Sequence, residues 1–239
     1  MKREHIIVAI HGILTGETSR AWQKRFEAHI WRRHPDSNIE VIGREYFAGV
    51  VPAWNVFVRN PRFADALVDL LKPYAKAGAM ISFVSHSNGA DIAVRAIRKL
   101  AAQTGARTNA LVCIGAAIQS DVGKNGILEL LTTNDLGRAV AYCSESDRTL
   151  ATKVKWPYGD LGRTGFLPHV IGLPLRYEGD VRLMTRWFPG YSHTGYFASL
   201  NEDKTYDMIL RDVAEFEFSD ARRATVSRGE AHEPSNEGA

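Results

Sequence analysis

One stretch, Met80-Ile81-Ser82-Phe83-Val84-Ser85-His86-Ser87-Asn88-Gly89-Ala90-Asp91, constrains the fold more than any other. An apolar strand runs straight into Ser-x-Ser-x-Gly. A helix pattern starts at once, with Ile92, Ala93, Ala96, Ile97 and Leu100 on one side and Arg95, Arg98 and Lys99 largely on the other. A serine on so sharp a strand-to-helix turn is pushed out of the sheet with its oxygen free to attack. The helix N-terminus beginning there supplies N–H groups for developing negative charge. Ser87 is the candidate nucleophile.

Context carries this reading, because Ser-x-Gly is expected roughly once by chance in a chain of this length. A second copy, Ser227-Arg228-Gly229, lies in a polar tail with no strand before it and reads as noise. The first glycine of Gly-x-Ser-x-Gly is replaced here by Ser85. The turn needs small side chains where strand and helix approach closely, and serine is small.

The 239 residues are most economically one domain, residues 1–218, followed by a polar, charged tail over 219–239 without periodicity, expected to be disordered. A net charge of +3 is too small to argue for nucleic acid or an anionic membrane. The two cysteines, Cys113 and Cys143, read as buried free thiols. The apolar run Ile6 to Ile10 is too short for a signal peptide, and no stretch approaches a transmembrane span. The expectation is a soluble, cytoplasmic protein; oligomeric state is not legible.

Strand patterns at Ile6 to Ile10, Ile39 to Ile42, Met80 onward, Ala110 to Ile114, Arg138 to Cys143 and Arg182 to Phe188 alternate with helix patterns. That spacing predicts an α/β fold: a mostly parallel sheet of about six strands with helices on both faces. The last strand carries charges suited to a sheet edge. Asn60-Pro61 reads as the N-cap and first residue of a helix. Asn201 opens the last helix. Phe47 to Arg59 and Trp156 to Arg176 read as long loops. In an open parallel sheet, loops leaving the carboxyl ends of the strands wall the ligand crevice.

A serine hydroxyl needs a base within hydrogen-bond reach, and the base needs an orienting acid. His193, in Gly190-Tyr191-Ser192-His193-Thr194-Gly195, follows the strand ending at Phe188 and so shares an edge with Ser87. His169, in the long loop, is the rival. Asp147 follows the strand ending at Cys143, with Glu145 a close alternative, Asp121 a weaker one and Asp160 deep in a loop. Oxyanion donors are expected from the backbone of Asn88 and from the first strand's loop, at Gly12 and Ile13. His11, Trp54 and Phe166 are candidate substrate-contacting residues. Phe47, Val50, Val51 and Leu167 could add apolar wall to an acyl pocket. No metal or organic cofactor is required, and no His-Glu-x-x-His, Cys-x-x-Cys pair or phosphate loop is present.

The His-Gly loop at His11-Gly12, the Ser85-to-Gly89 turn, Asp147 and His193 together resemble the α/β-hydrolase superfamily, specifically its compact lipase- or esterase-like members. The resemblance spans about Ile6 to Phe218. It implies a minimal version of that fold, without the leading antiparallel hairpin or a large cap. It also implies a serine hydrolase that cleaves small-molecule carboxylic esters through a Ser-His-Asp triad. Thioesterase, amidase, peptidase and acyltransferase chemistry use the same machinery, and a catalytically silent scaffold is the alternative of another class. Whether Trp156 to Arg176 forms a lid is left open.

Overall fold

A computed structural model describes residues 4–12, 21–44, 52–151, 157–166, 176–177 and 180–214. In chain order the elements are β1 (His5–Ile10), α1 (Trp22–Arg33), β2 (Ile39–Arg44), α2 (Pro52–Trp54), a π-helical turn (Asn55–Arg59), α3 (Asn60–Lys76), β3 (Met80–His86), α4 (Gly89–Thr104) and β4 (Thr108–Ile114). There follow α5 (Ile127–Thr132), β5 (Leu136–Cys143), α6 (Arg148–Ala151), α7 (Leu161–Thr164), β6 (Arg176–Tyr177), β7 (Asp180–Val181), β8 (Leu183–Trp187), a 3₁₀ turn (Gly195–Phe197) and α8 (Glu202–Val213).

Six strands form one sheet in the order β2-β1-β3-β4-β5-β8, and every neighbouring pair is parallel. Successive residues of a strand face opposite sides, so both layers of the core can be read along β1. Ile6, Val8 and Ile10 join Phe83 and Leu111 under α3 and α4. Ile7 and Ala9 join Val84 and Val112 under Trp22, Phe26 and Ile30 of α1 and Tyr206, Ile209 and Val213 of α8. This double coverage explains why the central strands read as unbroken apolar runs. The charged last strand, β8, lies at the sheet edge, as its composition suggested.

Two sequence readings need correction. Residues 52–59, taken as the end of a loop, are helical, and Asn60 is no N-cap: α2, the π turn and α3 run on without a break. Pro61 explains the mistake. It reads as a helix start because it has no N–H to give, yet here it sits inside a helical run. The π turn accommodates it, with the Asn60 N–H bonded to the Asn55 carbonyl five residues back. The short antiparallel pair of β6 and β7 was also not anticipated. The tail from residue 219 lies outside the described residues.

One ionic cluster fixes α8 across the sheet edge. Buried Asp212 accepts from Tyr142 Oη of β5 (2.7 Å) and from Arg186 Nε of β8 (2.7 Å), with a second bond from Arg186 Nη2. The same carboxylate, after burial itself, raises the Tyr142 phenol well above its ordinary range. Removing one partner of a buried charge pair strands the others. Asp212→Ala is therefore expected to lose about 3–5 kcal/mol in chemical denaturation. A loss below about 1 kcal/mol, the range of a surface pair, would contradict this role.

Candidate functional site

Strand order decides where a site can form. The chain adds β2 on one side of β1 and β3 on the other, so the topological switch falls between β1 and β3. Their register pairs Ile10 with Ser85, which brings His11 and Gly12 alongside His86 and Ser87. The approach is close: a Cβ added to Gly12 would lie 2.5 Å from the Cβ and 3.1 Å from the Oγ of Ser87. A Cβ on Gly89 would sit 2.9 Å from the carbonyls of both Ile10 and His11. These two glycines let the first loop, the nucleophile turn and the start of α4 pack against one another.

Ser87 has φ of 55°, in the left-handed region that only one other described non-glycine residue, Asn134, enters. Such a conformation costs about 1–3 kcal/mol and persists only when its surroundings enforce it. Here they do. The Ser87 N–H donates to Ile114 O (3.0 Å), and its carbonyl accepts from Ala117 N (3.1 Å) and Ala90 N (3.3 Å). Ser85, the departure from the glycine pattern, is fully buried and donates its hydroxyl to Val112 O (3.2 Å), so the added polar group is satisfied.

The base and acid candidates arrive from the next strand ends. His193 Nε2 lies 2.9 Å from Ser87 Oγ, and His193 Nδ1 lies 2.8 Å from Asp147 Oδ2. A buried carboxylate can only accept, so Nδ1 carries the proton, Nε2 is bare, and the serine hydroxyl donates to it. Asp147 is fully buried and also accepts from the Leu150 N–H (3.1 Å). Gly115, just past β4, lies beneath this pair.

The rivals lie elsewhere. Glu145 is exposed. Asp121 holds a turn by accepting from Gly123 N, and Asp160 accepts from Ser120 Oγ. His5 bonds Ser82, and His29 bridges Asp203 and Asp207. His169 and Ile13 lie outside the described residues, as do Phe47, Val50, Val51 and Leu167. His11 is buried, its Nδ1–H donating to the Gly12 carbonyl (2.5 Å). Trp54 is half exposed on α2. Phe166 packs against the core layer under α3 and α4.

His86, beside Ser87 on the turn, points away from it toward the loop that carries His193. Its Nε2–H donates to the His193 carbonyl (2.9 Å), and its ring meets Phe197 edge-on. Burial, and next the neighbouring His193, lower its pKa to about 3, so it stays neutral. Both cysteines are buried and free, and burial pushes each thiol up to about 12. Among the described residues no His, Cys, Asp and Glu grouping could hold a metal ion, and no helix is long and apolar enough to cross a membrane.

Comparison with known proteins adds to this geometry. Residues 1–119 match the family described as "Putative serine esterase (DUF676)". That segment carries His11-Gly12 and the Ser87 turn but neither Asp147 nor His193. No curated protein matches the sequence. An uncharacterized protein from Bacillus cereus ATCC 10987 superposes with a TM-score of 0.52 at 11% identity over 88% of this chain, which spans 60% of that one. The NocB thioesterase domain, solved as a covalent complex with a fluorophosphonate nocardicin G analog, superposes with a TM-score of 0.50 at 13% identity, covering 87% of this chain and 94% of that one.

The close packing at Gly12 has a direct consequence. In Gly12→Ala the new methyl must displace Ser87 or the first loop, and overpacking of this kind costs about 1–3 kcal/mol. Inactivation by diisopropyl fluorophosphate is expected to slow by about tenfold or more in the folded variant. An unchanged inactivation rate would show that the contact does not hold the nucleophile. Residues 1–119, with the Ser87 turn, are thus similar to a family of putative serine esterases, and the chain as a whole has an α/β fold like that of these solved neighbours.

Proposed function

We propose that the protein hydrolyses carboxylic esters of small molecules, with Ser87 as nucleophile, His193 as base and Asp147 as orienting acid. The observation that carries the reading is the unbroken relay from Ser87 Oγ through His193 to buried Asp147, with links of 2.9 and 2.8 Å. As Ser87 Oγ bonds to the substrate carbonyl carbon, its proton passes to His193 Nε2. The carbonyl π electrons move to oxygen, and the Asn88 N–H, directly after the nucleophile, with an amide of the Gly12–Ile13 loop, holds that oxyanion. One such donor accounts for about 10²–10³ in turnover. Collapse expels the alcohol, which takes the proton from Nε2 and leaves an acyl-serine. His193 then deprotonates water, which attacks the acyl carbon, and Ser87 recovers its proton as the acid leaves. Asp147 keeps Nδ1 protonated throughout and stabilises the imidazolium.

Strain stored at Ser87 argues against a silent scaffold, which would have no use for it. The esterase description of the matched family favours oxygen esters. The thioesterase domain of similar fold makes thioesters the natural competitor in the assay.

Hydrolysis of p-nitrophenyl acyl esters and matching acyl thioesters tests the reading. Ser87→Ala and His193→Ala should each lose about 10³-fold or more in kcat. Asp147→Asn should lose about 10³–10⁴-fold through the wrong tautomer. Glu145→Gln, altering an exposed side chain, should stay within about twofold. Turnover that survives Ser87→Ala would refute the assignment. A kcat/KM higher for thioesters would move the substrate class while keeping the triad.

A further inference from the structure

Asn60 opens α3 and is fully buried. Its side chain is bonded to the start of α4. Its Nδ2 donates to Asn88 Oδ1 (3.1 Å) and to Asp91 Oδ2 (2.7 Å), and its Oδ1 accepts from Asn88 Nδ2 (3.1 Å). The amide orientations follow from chemistry. Asp91 can only accept, so the Asn60 NH₂ must face it, and the Asn60 oxygen is left for the Asn88 NH₂. Arg95 Nε closes the group with a bond to the same Asp91 oxygen (2.9 Å). Asn88 is itself 1% exposed.

We infer that Asn60 is a positioning residue for the Ser87 reaction, its amide locking Asn88 so that the backbone N–H following the nucleophile stays aimed at the oxyanion. The inference rests on the ester-hydrolase reading above. Asn88 sits where β3 turns into α4, and its backbone is shared between the strained Ser87 and the first helical turn. A reciprocal amide pair fixes its side chain in two directions at once, which packing alone would not. The element that brings Asn60 there is itself unusual. The π turn Asn55–Arg59 leads directly into it, with the Asn60 N–H bonded to Asn55 O. Turns of this kind recur at functional sites. Stability alone does not call for the Asn60–Asn88 pair, because an apolar pair of the same shape can replace a buried hydrogen-bonded pair at little cost, and Asp91 would still accept from Arg95.

The paired variant Asn60→Leu/Asn88→Leu separates positioning from folding. It exchanges the amide pair for an apolar one and leaves the backbone N–H of residue 88 in the chain. The expected result is a folded protein whose Tm falls only by the loss of the Asn60 donor to Asp91, which keeps its bond from Arg95, and a kcat for p-nitrophenyl esters lower by about tenfold or more. KM should hold within about threefold, since the lost interaction is made only in the transition state. Asn60→Ala, assayed well below its own Tm, should show the same split. The inference is overturned if either folded variant keeps kcat within about threefold of the parent, if kcat and KM move together, or if neither variant folds. Ser87→Ala, run alongside, separates the two levels. Turnover that survives it overturns the reaction assignment, whereas turnover abolished there but unmoved in the asparagine variants overturns only the role of the pair.

Discussion

The left-handed turn at Ser87 is the constraint on which the rest of the structure depends. A serine at φ of 55° is disfavoured by its own side chain, yet both faces of the turn are tied down. Ile114 O takes the N–H, Ala117 N and Ala90 N hold the carbonyl, and Gly12 closes over the side chain. The backbone after β4 is thus part of the support of Ser87. That backbone is backed in turn by α7, whose Gly162 N–H donates to Ala116 O (2.9 Å) and whose Gly162 carbonyl accepts from Ser144 N (2.9 Å). Nucleophile turn, post-β4 strap and the approach to the Asp147 turn form one hydrogen-bonded rim.

Parallel topology makes such a rim possible. Four neighbouring strands, β3, β4, β5 and β8, all end at the same edge, and each end contributes one piece: Ser87, Gly115, Asp147 and His193. The pieces are far apart in sequence and meet because register and strand order leave them adjacent. The His193 loop is held at two points. Asp147 accepts a hydrogen bond from His193 Nδ1–H, and His86 donates to the His193 carbonyl. A neutral, buried imidazole suits that second task, because it donates to the loop without placing a charge beside His193.

How much of this was legible in the sequence follows the same physics. Strands covered on both faces announce themselves as apolar runs, so the sheet, its helices and its strand-end loops could be read directly. Ser87, Asp147 and His193 could be singled out because they follow strand ends on one edge of the sheet, and the structure brings the three together. The family match covers the first of them and stops before the other two. What could not be read was set by pairwise contacts without period. Asn60 pairs with a residue 28 positions away, and nothing in Asn60-Pro61 distinguishes a helix start from a proline absorbed by a π turn. The contact that His86 makes has no side-chain signature, because its partner is a backbone carbonyl on a distant loop. Phe166 shows the reverse difficulty: an aromatic in a loop reads equally as pocket wall or as core, and here it packs on the core.

Reactivity of the hydroxyl at Ser87 is the claim beneath all of these. The most direct measurement is intact-protein and peptide mass spectrometry after exposure to a fluorophosphonate. The account requires one adduct per chain, on the peptide containing Ser87, formed by folded protein and absent after heat denaturation. A folded protein that takes up no adduct, or carries it on a different serine, would contradict it.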